Sequence, residues 1–197
     1  TCLTVIIHTM MLGKIAFLGS GETSAIGGKL FENLASLYSP PVHLAVLETP
    51  AGFELNAASV AGRVSAFVGK RLQNYQASVK QIPARNRDPE TGTNAPVLAV
   101  ELLRANITFL GPGSPTYTVR MLKDSLFEQT LRYVLTQGTS IIFGSAAAIA
   151  AGKHALPVYE IYKVGEDLHW KPGLNFLYAF GFEATIIPHW NNTDGGN

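Results

Sequence analysis

The sequence has very little cysteine and little charge. Its 197 residues include a single cysteine, Cys2, so we expect neither a disulfide framework nor a cysteine-based metal site. Charged residues make up 15% of the chain and the formal net charge is +1, which gives no electrostatic case for nucleic acid or membrane as a partner. The scarcity of cysteine favours a cytoplasmic protein, because thiols stay reduced there.

Metal motifs and membrane segments are also missing. The five histidines include no pair four residues apart and no HExxH motif, so we predict no metal site and no cofactor. Residues 1–10 lack the basic start of a signal peptide and are too short to span a bilayer. We expect them to be a leader or added residues, and we expect the C-terminus to be truncated shortly after a functional histidine.

Apolar residues are plentiful, at 47% of the chain, and their spacing predicts alternating strands and helices. Strands are predicted at residues 15–18, 43–47, 77–82, 107–110, 141–143 and 184–187. Helices are predicted at residues 25–38, 56–75, 95–105, 116–136 and 146–151, with a polar loop at 83–95. We therefore expect one domain over residues 1–197, an α/β fold, built as a three-layer α/β/α sandwich with a mainly parallel, flavodoxin-like sheet.

Ligands of such sheets bind beyond the carboxyl ends of the strands. Those ends carry residues 19–22, 48–54, 111–114 and Ser145, so we expect these loops to converge on one crevice. Residues 157–180 hold scattered aromatic and charged side chains, which indicates a hairpin or lid beside it.

Ser145 lies where an apolar strand changes into an alanine-rich helix without any loop. A serine on such a tight turn, at a helix N-terminus, is typical of a nucleophile elbow. The alternative is a serine that simply caps the helix. A nucleophile needs a base, and His189, at the end of the last predicted strand, is the candidate. Asp194, Glu160 and Asp167 are candidates for the acid that orients it, as is a residue beyond the chain's end.

Two further loops offer polar groups to the crevice. The glycine-rich turn at 111–114 leaves the N–H of Gly113 free to form an oxyanion hole with the N–H of Ala146, although ordinary turns have the same composition. Residues 19–24, together with Glu48, nearly match a dinucleotide fingerprint, but Ser24 occupies the third glycine position. The candidate substrate-binding residues in and beside these loops are Glu22, Glu48, Ser114 and Glu160.

With these motifs placed, the chain resembles the serine peptidases related to cyanophycinase and aspartyl dipeptidase, which have a class I glutamine amidotransferase-like sheet. The family's nucleophile motif, Gly-x-Ser-Ala-Gly-Ala, aligns with residues 143–148, and its Pro-His-Phe motif aligns with residues 188–190. Its glycine-rich oxyanion turn resembles residues 112–114. The resemblance implies that Ser145 is the nucleophile, His189 the base and Gly113 an oxyanion donor.

The chain departs from the family pattern at Phe143 and Ala147, where the family has glycine. An alternative alignment puts Ala146 at the nucleophile and makes the chain a non-catalytic relative. We therefore predict a serine hydrolase of the peptidase or amidase type, acting on a small-molecule or peptide substrate. The alternatives are a small-molecule-binding protein on the same fold and, less favoured, a nucleotide-binding enzyme. The sequence leaves open whether the chain forms a homodimer.

Overall fold

The computed structural model describes residues 12–189, in which five parallel strands form the central sheet. They are β1 (Ile15–Leu18), β2 (His43–Leu47), β3 (Ser78–Ile82), β4 (Ile107–Leu110) and β5 (Ser140–Gly144). The α-helices are α1 (Ala25–Ala35), α2 (Ala57–Arg71), α3 (Pro96–Arg104), α4 (Pro115–Leu122), α5 (Leu126–Thr136) and α6 (Ala146–Ala151). Two short strands, β6 (His154–Ala155) and β7 (Lys171–Pro172), pair in an antiparallel ribbon.

The strand order in the sheet is β1-β5-β4-β2-β3. Strands β3, β2, β4 and β5 follow the flavodoxin order, and β1 takes the place beside β5. The chain passes outward from β2 to β3 and then returns to the other side of β2 as β4. The carboxyl ends of β2 and β4 therefore flank a switch point, where sheets of this kind bind their ligands.

Helices cover both faces of the sheet, which confirms the expected α/β fold. One apolar cluster joins the sheet to α3, α4, α5 and α6, and a second joins it to α1 and α2. Along β5, Ile141 and Phe143 pack into the first cluster and Ile142 into the second. A strand buried on both faces needs a continuous apolar run, which is what the sequence has there.

One predicted helix, 116–136, is wrong as a single element. It is divided into α4 and α5, because Asp124 adopts a φ of 58° and Ser125 caps α5 by accepting a hydrogen bond from the Glu128 N–H at 3.2 Å. The Glu128 carboxylate in turn accepts from the Asp124 N–H at 2.7 Å. A serine followed three residues later by glutamate is a helix-start signal, so the sequence did contain the break.

The predicted strand at 184–187 is also wrong, because residues 182–189 form no regular element. They run instead along the end of α6, where the Lys153 N–H donates to the Ala184 carbonyl at 2.8 Å. The segment 157–180, expected to be a hairpin or lid, contains a π-helical turn at Glu160–Val164, strand β7 and a 3₁₀ turn at Phe176–Phe180.

Other expectations are met or fall outside the described residues. The helix at 95–105 and the loop at 83–95 are confirmed, while Asn56 precedes α2 without a capping side-chain bond. No helix within residues 12–189 combines the length and apolar character needed to cross a membrane. The expectations for residues 1–10 and for Asp194 concern residues that are not described.

Candidate active site

Ser145 joins β5 to α6 in a strained backbone conformation, with φ 50° and ψ −117°. A positive φ is uncommon for any residue but glycine and costs on the order of 1–3 kcal/mol. Its N–H donates to the Leu18 carbonyl at 2.8 Å, which fixes the turn against the end of β1. Its side chain makes no capping bond to α6. The interpretation of Ser145 as a simple helix cap is therefore wrong.

The Ser145 hydroxyl instead meets His189, with 2.8 Å between Oγ and Nε2. When Nε2 carries no proton, the serine O–H donates and the imidazole accepts, which is the arrangement a general base requires. Ser145 and His189 are 44 residues apart in the sequence, and they come together at the edge of β1. There, a Cβ added to Gly19 would lie 3.3 Å from the His189 backbone nitrogen.

Polar contacts with the end of α6 hold the segment that leads to His189. Glu183 pairs with Lys153 Nζ at 2.5 Å and accepts from Asn175 Nδ2 at 2.9 Å. The Lys153 side-chain bond, followed by the Asn175 bond, lowers the pKa of the exposed Glu183 carboxyl below its ordinary value. His189 thus lies at the end of an irregular segment, and not of a strand, and surface hydrogen bonds of Glu183 hold the start of that segment.

The turn expected to supply an oxyanion donor lies beside the switch point. Gly113 has a φ of 151°, and a Cβ added to it would lie only 1.9 Å from the Pro50 carbonyl oxygen. The Ser114 N–H donates to the same carbonyl at 3.0 Å. Ser114 is 8% exposed, and its Oγ accepts from the Tyr117 N–H at 3.2 Å, so this predicted substrate residue caps α4.

The turn at Ser145 and the turn at Gly113 are neighbours. A Cβ added to Gly144 would lie 3.6 Å from the Gly111 Cα and 3.3 Å from the Phe109 ring. Ala146 is the first residue of α6, where backbone N–H groups have no acceptor within the helix. Gly113, in the turn after β4, and Ala146, at the start of α6, thus both lie at the carboxyl edge of the sheet, after the neighbouring strands β4 and β5.

Glu48 is placed differently from the expectation of a substrate-binding carboxylate. It is 3% exposed, and its two oxygens accept hydrogen bonds from Arg85 Nε at 2.6 Å and from Gln81 Nε2. In this arrangement the carboxylate joins β2 to β3 and its charge is neutralised by Arg85. A dinucleotide site would need this acid for ribose, so the nucleotide-binding interpretation loses a principal support.

The remaining predicted acids differ in their surroundings. Glu22 is half-buried in the loop after β1, and Asp167 is exposed in the loop before β7. Glu160 begins the π-helical turn, with Oε1 3.8 Å from Lys171 Nζ. Its other oxygen, Oε2, is buried and has no hydrogen-bond partner among the described residues. Within residues 12–189, no three histidine, cysteine, aspartate or glutamate side chains are grouped to hold a metal ion.

One feature of the crevice was missed from the sequence. Phe53, Tyr117 and Tyr159, here called the aromatic wall, come from three separate loops and helices and form a contiguous set of rings. The Phe53 ring centroid lies 5.2 Å from that of Tyr117 and 6.2 Å from that of Tyr159. No periodic pattern links these positions, so only the tertiary structure brings them together.

No protein-family model matches the sequence, and no curated protein matches it significantly. Solved structures do match. A peptidase from an acI-B1 Actinobacterium superposes with a TM-score of 0.74 at 18% identity, over 94% of this chain and 71% of that one. A peptidase E candidate from Listeria monocytogenes EGD-e superposes with a TM-score of 0.64 at 17% identity, over 93% of this chain and 82% of that one. These similarities confirm the expected α/β fold.

Proposed function

We propose that the chain is a serine hydrolase of the peptidase or amidase type. The observation that carries the proposal is the contact of 2.8 Å between Ser145 Oγ and His189 Nε2, made by a serine held at a strained turn. Strain of this kind persists only where the surrounding structure imposes it, and it is common at active sites. The strained residue is Ser145 and not Ala146, which favours the alignment that makes Ser145 the nucleophile. The fold shared with two peptidases adds support.

The proposed reaction uses these groups in turn. Ser145 Oγ attacks the carbonyl carbon of an amide or ester while His189 Nε2 takes the hydroxyl proton. The N–H groups of Gly113 and Ala146 stabilise the oxyanion that forms. His189 then returns the proton to the departing amine or alcohol, and a water molecule releases the acyl group from the serine by the same steps.

For the acid that orients His189, Glu160 is the stronger candidate of the two within the described residues. Asp167 is exposed, whereas Glu160 has a buried carboxylate oxygen without a donor. A buried acceptor without a partner costs free energy, so we favour Glu160 over Asp167 as the acceptor. Comparison of Glu160→Gln with Asp167→Asn in ester hydrolysis tests this choice, with a loss of kcat expected only in the first variant.

Covalent labelling with a fluorophosphonate, followed by mass mapping, tests the hydrolase proposal. We expect the label at Ser145, with labelling abolished in Ser145→Ala and reduced at least about a hundredfold in His189→Ala. Ser78 is a matched control, because its Oγ lies 2.6 Å from His43 Nδ1 at the opposite edge of the sheet, on a strand without an elbow. Equal labelling of Ser78, or none at Ser145 in folded protein, would favour the non-catalytic binding protein instead.

A further inference from the structure

The aromatic wall lies beside the loops that carry the proposed reaction. Phe53 follows the short turn Thr49–Ala51, whose Pro50 carbonyl lies against Gly113. Tyr117 is in the first turn of α4, immediately after this contact. Helix α4 packs against both that turn and α6, which begins directly after Ser145. The wall and the Ser145 turn are thus linked through α4, at the carboxyl edge of the sheet.

The two tyrosines of the wall are held in place by their neighbours. Tyr117 donates its hydroxyl to the Arg85 carbonyl at 2.7 Å, and the Arg120 guanidinium lies 5.1 Å from its ring centroid. The Lys163 ammonium lies 4.4 Å from the centroid of Tyr159. These contacts occupy the tyrosines and leave the third ring to solvent, since Phe53 is 48% exposed.

The Tyr159 phenol of the wall is uncharged at neutral pH, and Phe53 is the apolar ring that the wall exposes. Burial, and then the negative charge of Glu54, raise the pKa of Tyr159 above 10.0, so its phenol stays protonated. Phe53 meets both tyrosines at an angle, with interplanar angles of 53° and 77°. Aromatic rings favour such tilted and edge-on arrangements. A further ring can join the cluster at the exposed part of Phe53.

We propose that the aromatic wall is a specificity subsite that receives an aromatic side chain of the substrate's acyl portion. The subsite rests on the proposed hydrolase function, because that function supplies the acyl group. A ring placed on Phe53 removes apolar surface of both partners from water, and it gains a tilted contact that an aliphatic side chain lacks. Acyl groups that carry a phenyl ring are therefore preferred over small ones.

Hydrolysis of two p-nitrophenyl esters, the acetate and the 3-phenylpropionate, tests the subsite. In Phe53→Ala we expect kcat/KM for the phenylpropionate to fall about tenfold or more, with the acetate changed less than about twofold. Leu55→Ala is the matched control, because Leu55 is an exposed apolar residue two positions further along the same loop. It should leave both esters unchanged. An equal effect of Phe53→Ala on the two esters, or no effect on either, overturns the subsite.

A binding measurement separates failure of the subsite from failure of the hydrolase proposal. If neither ester requires Ser145, the hydrolase proposal fails, and the subsite is then decided by calorimetry on the Ser145→Ala variant. The probes are N-acetylphenylalaninamide and N-acetylalaninamide. Tighter binding of the phenyl probe, lost when Phe53→Ala is added but kept with Leu55→Ala, supports the subsite. Equal binding of the two probes, or no binding of the phenyl probe, overturns it.

Discussion

The contact between Gly113 and Pro50 makes Gly113→Ala a quantitative test of the site's geometry. The added Cβ would start 1.9 Å from the Pro50 carbonyl oxygen, whereas real Cβ contacts essentially never fall below 3.0 Å, so one loop must move by more than an ångström. That movement breaks the bond from the Ser114 N–H to the same carbonyl, worth about 1 kcal/mol. Alanine at a φ of 151° adds strain of about 1–3 kcal/mol.

Together these effects predict a loss of roughly 2–4 kcal/mol in the free energy of unfolding, which corresponds to a fall of about 5–15 °C in Tm for a chain of this size. Hydrolysis should fall by about 10²–10³, because the displaced Gly113 N–H is one of the two proposed oxyanion donors. Thermal unfolding by circular dichroism gives the first quantity and ester hydrolysis the second.

Gly69→Ala is the control for this measurement. It lies within α2, where the nearest atom to an added Cβ is 3.8 Å away, and alanine should stabilise the helix by up to about 1 kcal/mol. A Gly113→Ala protein that melts within about 1 °C of wild type and keeps its activity would refute the close approach of these loops.

Three other perturbations have outcomes fixed by single contacts. In urea unfolding, Ser145→Gly should be more stable than Ser145→Ala by about 1 kcal/mol. Both variants lack the hydroxyl, but the positive φ at this position is strained for alanine and not for glycine. Arg85→Met should cost about 2–4 kcal/mol and Glu48→Gln about 1–2 kcal/mol. Arg85→Met leaves the Glu48 carboxylate, which is 3% exposed, without its cation, whereas in Glu48→Gln the Arg85 side chain is 39% exposed and still reaches water. Equal losses of unfolding free energy in the two variants would contradict this reasoning. Because the pKa of Glu183 is lowered from 4.5, its stabilising contribution is complete above that pH and is lost as the pH falls through the lowered value. Thermal melts across this acid range should show a smaller loss of stability in Glu183→Gln than in wild type.

The sheet and the position of Ser145 could be predicted because residue type changes abruptly at the relevant points. The run at residues 141–143 is β-branched and aromatic, and alanines follow it after only two residues, so strand, turn and helix each have a local signal. The segment 184–187 has strand-like residues too, but strand formation depends on a partner, and this segment instead lies along the end of α6.

Side-chain partners distant in sequence could not be predicted in this way. Glu48 is 37 residues from Arg85, and an acidic residue at a strand end has the same local pattern whether it meets a ligand or a cation. The aromatic wall has the same difficulty, since each ring lies on a different element. The pairing of Ser145 with His189 was predictable only because each residue lies in a motif of its own.

Ser145 and His189 follow segments that differ in how much apolar surface they bury. Ser145 follows β5, every residue of which is buried, and its N–H is bonded to the end of β1. His189 follows a segment that buries less apolar surface: Phe182 is 52% and Ile187 61% exposed, although Ile186 packs against the first apolar cluster. Because regions with little buried apolar surface open at lower free energy than a core strand, the serine's geometry is fixed by the global fold. The segment that leads to the histidine is held by contacts that include those with Lys153, Asn175 and the edge of β1. Contacts made by a bound ligand along residues 183–189 would therefore displace His189 more readily than the turn at Ser145.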